Sequence, residues 1–223
     1  MSNNNSMLQR YIALFLGLLF NALGSGLTVA TNMGTSPWTA SEVNLGHMLG
    51  ISVGWPIFMV GAITAVVNQF LIGKWDATRF IGGILFVSFF SYFTDIFVSF
   101  FTDIGVPQLS IISKIILCLV GTVIFCSAIS LYQRANIIMH PNDDTTNIIR
   151  FRFFKGKVVQ AQIVNFLAPT IIIVITVFIT HKIYSVNIGT LFCMFFTGPF
   201  IGLADKYIWP KLHHNFRIQA HKN

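Results

Sequence analysis

Long apolar runs alternate with short polar breaks along the whole chain. Six runs are long enough to cross a bilayer: Tyr11–Thr31, Val53–Ile72, Phe80–Phe101, Ile111–Tyr132, Val158–Ile179 and Ile188–Ile208. A helix needs about 20 mostly apolar residues to do so. The breaks are unequal. Spans two and three, three and four, and five and six are joined by short connections. Longer segments, roughly Asn32–Ser52 and Gln133–Lys157, follow spans one and four.

The pattern repeats. Gly83–Ser91 reads GILFVSFFS, and 106 residues later Gly189–Thr197 reads GTLFCMFFT. At the same spacing Gly50, Val53, Ile57, Ala62 and Thr64 return as Gly156, Val159, Ile163, Ala168 and Thr170. Earlier in each half, Leu27, Asn32 and Pro37 match Leu131, Asn136 and Pro141 at a spacing of 104. The two extra residues fall in a loop, where insertion is tolerated. Three spans repeated in tandem must enter the membrane in opposite senses, an arrangement common in transporters whose site lies between the halves. The expected fold is therefore an all-α membrane protein of six transmembrane helices, built as 3+3 inverted-topology repeats in one integral membrane domain. Repeat one covers about 8–104 and repeat two about 109–210, followed by a basic tail at 211–223.

The longer segments read as short bent helices after spans one and four. Ser36-Pro37 supplies a cap and a first-turn proline, and Thr39-Ala-Ser-Glu42 offers a capping box one turn on. Pro141-Asn-Asp-Asp144 places two carboxylates in a first turn, where the helix dipole favours them. Helices lying flat in the interface are the alternative.

Composition supports the membrane assignment. The chain is 54% hydrophobic and 9% charged, against roughly 25% charged in soluble domains. Its net charge of +7 is explained by position. With a cytoplasmic amino terminus, twelve cations fall inside: Arg10, Lys74, Arg79, Arg134, Arg150, Arg152, Lys155, Lys157, Lys206, Lys211, Arg217 and Lys222. Only Lys114 and Lys182 fall outside, so both termini are expected in the cytoplasm. The second half's partner for span one argues against a cleaved signal peptide. Cys118, Cys126 and Cys193 lie within spans and read as packing residues.

Gly34-Thr-Ser-Pro-Trp38, Leu49-Gly-Ile-Ser-Val-Gly54, Pro141-Asn-Asp143 and Gly189-Thr-Leu…Gly198-Pro199 together resemble the YczE/YyaS/YitT family of bacterial integral membrane proteins. The resemblance covers nearly the whole chain. It implies this architecture and transport in the bacterial plasma membrane, with no substrate named. Two positions depart from it. The aspartate expected after Pro37-Trp38 is Thr39, and His47-Met48 stands where a threonine is usual. A site paired across the two halves would have lost or moved one carboxylate.

Candidate substrate-binding or coupling residues are Asn32, Ser36, Trp38, Asp95, Asn136, Asp143, Asp144 and Asn165. Asp95 lies about 22 Å into span three at 1.5 Å per residue, where a carboxylate faces a cavity or partner, or else reaches the outer headgroups. Asp143 and Asp144 either meet a cation or cap a helix. Gln160, Gln162 and Asn165 bond between helices or line a polar route. The basic-aromatic run Ile148–Lys157 reads as a membrane-face anchor rather than a nucleic-acid site. Trp38, Trp55, Trp75 and Trp209 read as an aromatic belt. No catalytic motif, metal site or cofactor is indicated. The expected partners are the lipid bilayer, an unknown small solute or ion, and a second copy or partner subunit. The function expected is a small-solute permease. The rivals are a substrate-capturing subunit of an energised uptake complex and a non-transporting scaffold or regulator.

Overall fold

The computed structural model describes residues 5–214, and Arg217, His221 and Lys222 of the basic tail lie outside the described residues. Among the described residues eight α-helices follow one order twice. In the first half these are α1 (Met7–Thr31), short α2 (Pro37–Leu49), α3 (Gly54–Ile72) and α4 (Ala77–Asp103). In the second they are α5 (Ile111–Ala135), short α6 (Pro141–Arg152), α7 (Val158–Thr180) and α8 (Ile188–Tyr207). The six long helices are apolar enough to cross a membrane, and each coincides with an expected span to within a few residues.

The weak Asn…Pro block of the repeat has a local cause. Asn32 and Asn136 both adopt the left-handed conformation that ends α1 and α5, a conformation asparagine tolerates better than most residues. Pro37 and Pro141 both occupy the first turn of a short helix, where their missing N–H costs nothing. Ser36 caps α2 by accepting from Thr39 N at 3.3 Å. The capping box expected at Thr39–Glu42 is therefore not formed, since Thr39 already lies within α2. His140 caps α6, its Nδ1 accepting from Asn142 N at 3.2 Å.

Helices α1 and α5 form the central pair. They approach so closely that a Cβ on Gly24 would lie 2.6 Å from Gly121 O, and one on Gly17 would lie 2.9 Å from Ala128 O. A Cβ on Gly121 would meet Thr28, and one on Gly17 would meet Tyr132. These contacts are reciprocal. Adding the repeat spacing of 104 turns Gly17 into Gly121, Gly24 into Ala128 and Thr28 into Tyr132. Small residues allow such an approach, and close packing replaces the hydrophobic driving force that lipid removes.

The remaining contacts mostly obey the same exchange. Helix α1 packs on α4 as α5 packs on α8, and α2 packs on α7 as α6 packs on α3. The repeated glycines of the third spans fit the bends of the opposite half. Gly83 lies against Pro141, and Gly189 lies against Met33 O. One pair breaks the rule most plainly. Helix α3 packs along α4, with Val87 filling the place of a side chain at Gly61, whereas α7 stands apart from α8. The residues equivalent to Gly61 and Gly54 are Leu167 and Gln160, too large to repeat that approach.

Guanidinium groups close two helix ends. Arg10 donates to the carbonyls of Ala135 and Asn136, both at 2.7 Å. Arg134 is buried and donates to the carbonyls of Ile208, Trp209 and Leu212 at 2.7, 3.1 and 3.1 Å, so it is a C-terminal cap of α8 rather than a loop charge. Asn5 and His213 exchange hydrogen bonds of 2.6 and 3.0 Å, which brings both ends of the described chain to one end of the bundle.

The crossing yields a stability prediction. Gly24→Leu is expected to lower the melting temperature in detergent, since forcing side-chain volume into a packed contact costs about 1–3 kcal/mol. Gly198→Ala, at a position with open space around its Cα, should stay within about 0.5 kcal/mol of wild type. Equal melting curves for the two variants would contradict the tight crossing.

Candidate functional site

A cavity of about 570 Å³ lies beside the central crossing. Its walls come from both halves. Helix α1 contributes Asn21 and Ser25, α2 with its cap contributes Ser36, Trp38 and Glu42, and α6 with its cap contributes His140, Asn142 and Asp143. Helices α7 and α8 complete it with Gln162, Asn165, Phe166, Phe195 and Pro199. Because α7 and α8 stand apart, apolar lining residues such as Ile163 (60% exposed) and Phe195 (72% exposed) sit at an open edge. Polar groups of the two short helices share the interior with Phe90 and Phe125, and the mouth is apolar.

Glu42 is 1% exposed. It accepts one long bond from Asn142 Nδ2 at 3.4 Å. Burial raises its carboxyl well above the usual range, a shift the Asn142 bond only partly offsets. Asp143, on the opposite short helix, accepts from the hydroxyl of Tyr132. Burial lifts Asp143 to about 6, the Tyr132 bond pulls it down, and neighbouring Asp144 adds a smaller upward push. His140 is edge-on to Phe86 and Phe90, with ring centroids 5.7 and 5.0 Å away, and burial lowers it to about 3, so it is neutral.

Several polar atoms of the walls have no protein partner. Trp38 Nε1, Asn142 Oδ1 and Asn165 Oδ1 are buried without a hydrogen bond, though Asn142 and Asn165 are each only 4% exposed. Such atoms cost about 1–3 kcal/mol apiece unless something else satisfies them. Pro169 and Pro199 lie inside α7 and α8. A proline removes the N–H that would bond the carbonyl four residues earlier, here those of Asn165 and Phe195, both on the cavity wall.

The candidate residues divide into two groups. Ser36, Trp38, Asp143 and Asn165 are brought together on the cavity wall. Asn32 accepts from Ser185 N at 2.7 Å, pinning the loop before α8, and Asn136 ends α5 beneath Arg10. Asp144 forms a two-bond ion pair with Arg79, at 2.7 and 2.8 Å. With Asn68 donating to Pro141 O at 2.9 Å, this fastens α6 to α3 and α4. Burial raises the Asp144 carboxyl while Arg79 opposes the shift. Asp95 is half-buried and accepts from Gly54 N at 3.2 Å, at the start of α3. It does not line the cavity. Of the tryptophans, Trp55 and Trp75 are exposed, and Trp209 packs against the core of Ala13, Leu131 and Leu212.

Sequence reasoning missed Glu42, His140 and Asn142. A signal for Glu42 existed. Asp143 aligns with Thr39 across the repeat, and Glu42 lies three residues on, one helical turn further along the same face. The carboxylate absent from Thr39 has a counterpart one turn away.

Fold and site define an all-helical integral membrane protein with a cavity that buried polar groups share with apolar ones. The chain belongs to a family of unknown function, DUF6198, whose pattern matches residues 8–206. No curated protein and no solved structure matches it.

The titration order of the carboxyls can be measured. Asp143 holds its proton more firmly folded than unfolded, so it lowers stability as pH rises from the ordinary carboxylate range to about 6, and the penalty persists above that. Infrared difference spectra should show a protonated-carboxyl band lost with a midpoint near 6 and absent in Asp143→Asn. A second band, persisting above the ordinary carboxylate range, should vanish in Glu42→Gln. Full ionisation of both groups at pH 5 would contradict this electrostatic description.

Proposed function

We propose that the chain is a small-solute permease of the bacterial plasma membrane whose halves are inverted-topology repeats and whose solute occupies the cavity between them. The observation that carries this reading is the cavity's polar wall. A buried carboxyl and orphaned amide groups within an apolar bundle are costly, and a bound solute would offset that cost. The reciprocal α1–α5 crossing supports the inverted relation, because an isologous contact implies a two-fold relation. The two helices pass each other antiparallel, Gly17 beside Ala128 and Gly24 beside Gly121, which sets that axis across the helices. The motifs shared with the YczE/YyaS/YitT family support the same architecture. A scaffold has no need of such a cavity.

A second reading, a substrate-capturing subunit that works with an energising partner, is favoured by one feature. The mouth between α7 and α8 is apolar and uncovered, so a partner helix could close it.

Uptake into proteoliposomes, screened across metabolite classes, tests the permease reading. Asn165→Trp fills the cavity and should abolish any uptake found while leaving the protein monodisperse. Undiminished uptake by that variant would place the route elsewhere. Orientation has its own test. With the native cysteines replaced, a cysteine at Lys155 should resist impermeant thiol reagents in intact cells, while one at Lys182 reacts. The opposite pattern would invert the topology.

A further inference from the structure

The chemistry of the cavity wall is one-sided. Among the described residues no lysine or arginine lines it, while two carboxyl groups do, Glu42 and Asp143. The unpartnered atoms follow the same bias. Asn142 Oδ1 and Asn165 Oδ1 are acceptors, and the carbonyls of Asn165 and Phe195 have lost their helical donors to Pro169 and Pro199. Among the buried unpartnered atoms of the wall, Trp38 Nε1 is a donor. The N-termini of α2 and α6 would favour an anion, but their first turns are closed by Ser36 and His140. What the wall requires is a donor of several N–H groups carrying positive charge.

The rest of the site sets the shape. Phe90, Phe125, Phe166 and Trp38 face the same space, so the cation needs an apolar body. We propose that the cavity binds an organic ammonium ion with an apolar body, its N–H groups held by Glu42 and the free amide oxygen of Asn142, with Asp143 as the second acidic group. The inference rests on the permease reading for the location of the site, and adds the class of ligand.

Binding exchanges a proton. A protonated Glu42 gives up its proton as the ammonium ion arrives and is left as a carboxylate paired with that cation. One proton passes to solvent for each cation bound, so charge balances. The other titratable groups facing this exchange are Asp143 and His140 of α6, Tyr132 of α5 behind Asp143, and Cys193 of α8. Helices α1 and α7 present only Asn21, Ser25, Gln162 and Asn165 as polar groups. Tight amine binding should therefore strengthen as pH rises through the range in which Glu42 gives up its proton.

Three probes of similar shape test the proposal on the full chain in nanodiscs: 2-phenylethylamine, 2-phenylethanol and phenylacetate. Calorimetry should show the amine binding with proton release, seen as a dependence of the heat on the buffer's ionisation enthalpy. The alcohol and the acid should bind about thirtyfold or more weakly, as expected when a buried charge partner is missing. Glu42→Gln should weaken the amine by a similar factor and abolish proton release. Asp143→Asn, which keeps an acceptor for Tyr132, should weaken it less. Preference for phenylacetate, amine binding unchanged in Glu42→Gln, or no binding of any probe would overturn the proposal. Glu42-dependent amine binding by a protein that moves no solute would overturn the permease reading alone. Solute flux indifferent to Glu42→Gln and to competing amine would overturn the amine site alone.

Discussion

Everything in the bundle hangs on the close approach of α1 and α5. Lipid offers no hydrophobic incentive for two helices to meet, so contact must come from backbone surfaces brought near enough for dispersion to act over many atoms. Gly17, Gly24 and Gly121 make this possible, since a Cβ on any of them would enter the neighbouring helix. The reciprocal placement of these residues orients the two halves. Once α1 and α5 are set, their asparagine-terminated ends aim each following bend across the molecule. There Gly34, at φ +114°, lies so near α8 that a Cβ would come within 2.4 Å of Thr190 N.

The cavity arises where that symmetry fails. In the first half Gly54 and Gly61 let α4 close against α3. In the second half Gln160 and Leu167 hold those places, and α7 stands off from α8. The space left has a polar floor from the two short helices and an apolar rim from the two separated ones. Each short helix is tied to the bundle by side-chain bonds. Asn44 clamps α2 by exchanging bonds of 2.7 and 3.0 Å with the backbone of Tyr184, and the Arg79–Asp144 pair with Asn68 clamps α6. Glu42 and Asp143 are thus carried on elements anchored to different parts of the bundle. A change in the packing of either anchor would alter their separation.

Much of the fold was legible in the sequence because spans, caps and glycines act locally. Apolar length gives the six long helices, Ser36-Pro37 gives the start of α2, and the repeated asparagine and proline mark where each bend begins and ends. The site was legible only in part. Trp38, Asp143 and Asn165 were recoverable from composition and spacing. The place of Asp95 was not legible, because depth along a span is countable while direction around it is not, and the chain turns it toward the start of α3 and away from the cavity. Glu42 was assigned to a cap by its spacing from Thr39, when the helix had already begun at Pro37. His140 carried no sequence signal, because its burial follows from tertiary packing against Phe86 and Phe90.

The central claim is that a solvent-reachable acidic cavity lies between the halves. It is tested most directly by a single cysteine at Asn165, in protein whose three native cysteines are replaced by alanine. In native membranes the account requires this thiol to react with a small cationic thiosulfonate faster than with an anionic one of equal size, and to lose that preference when Glu42 and Asp143 are both made amides. A thiol inert to both reagents, or one that favours the anion, would contradict it.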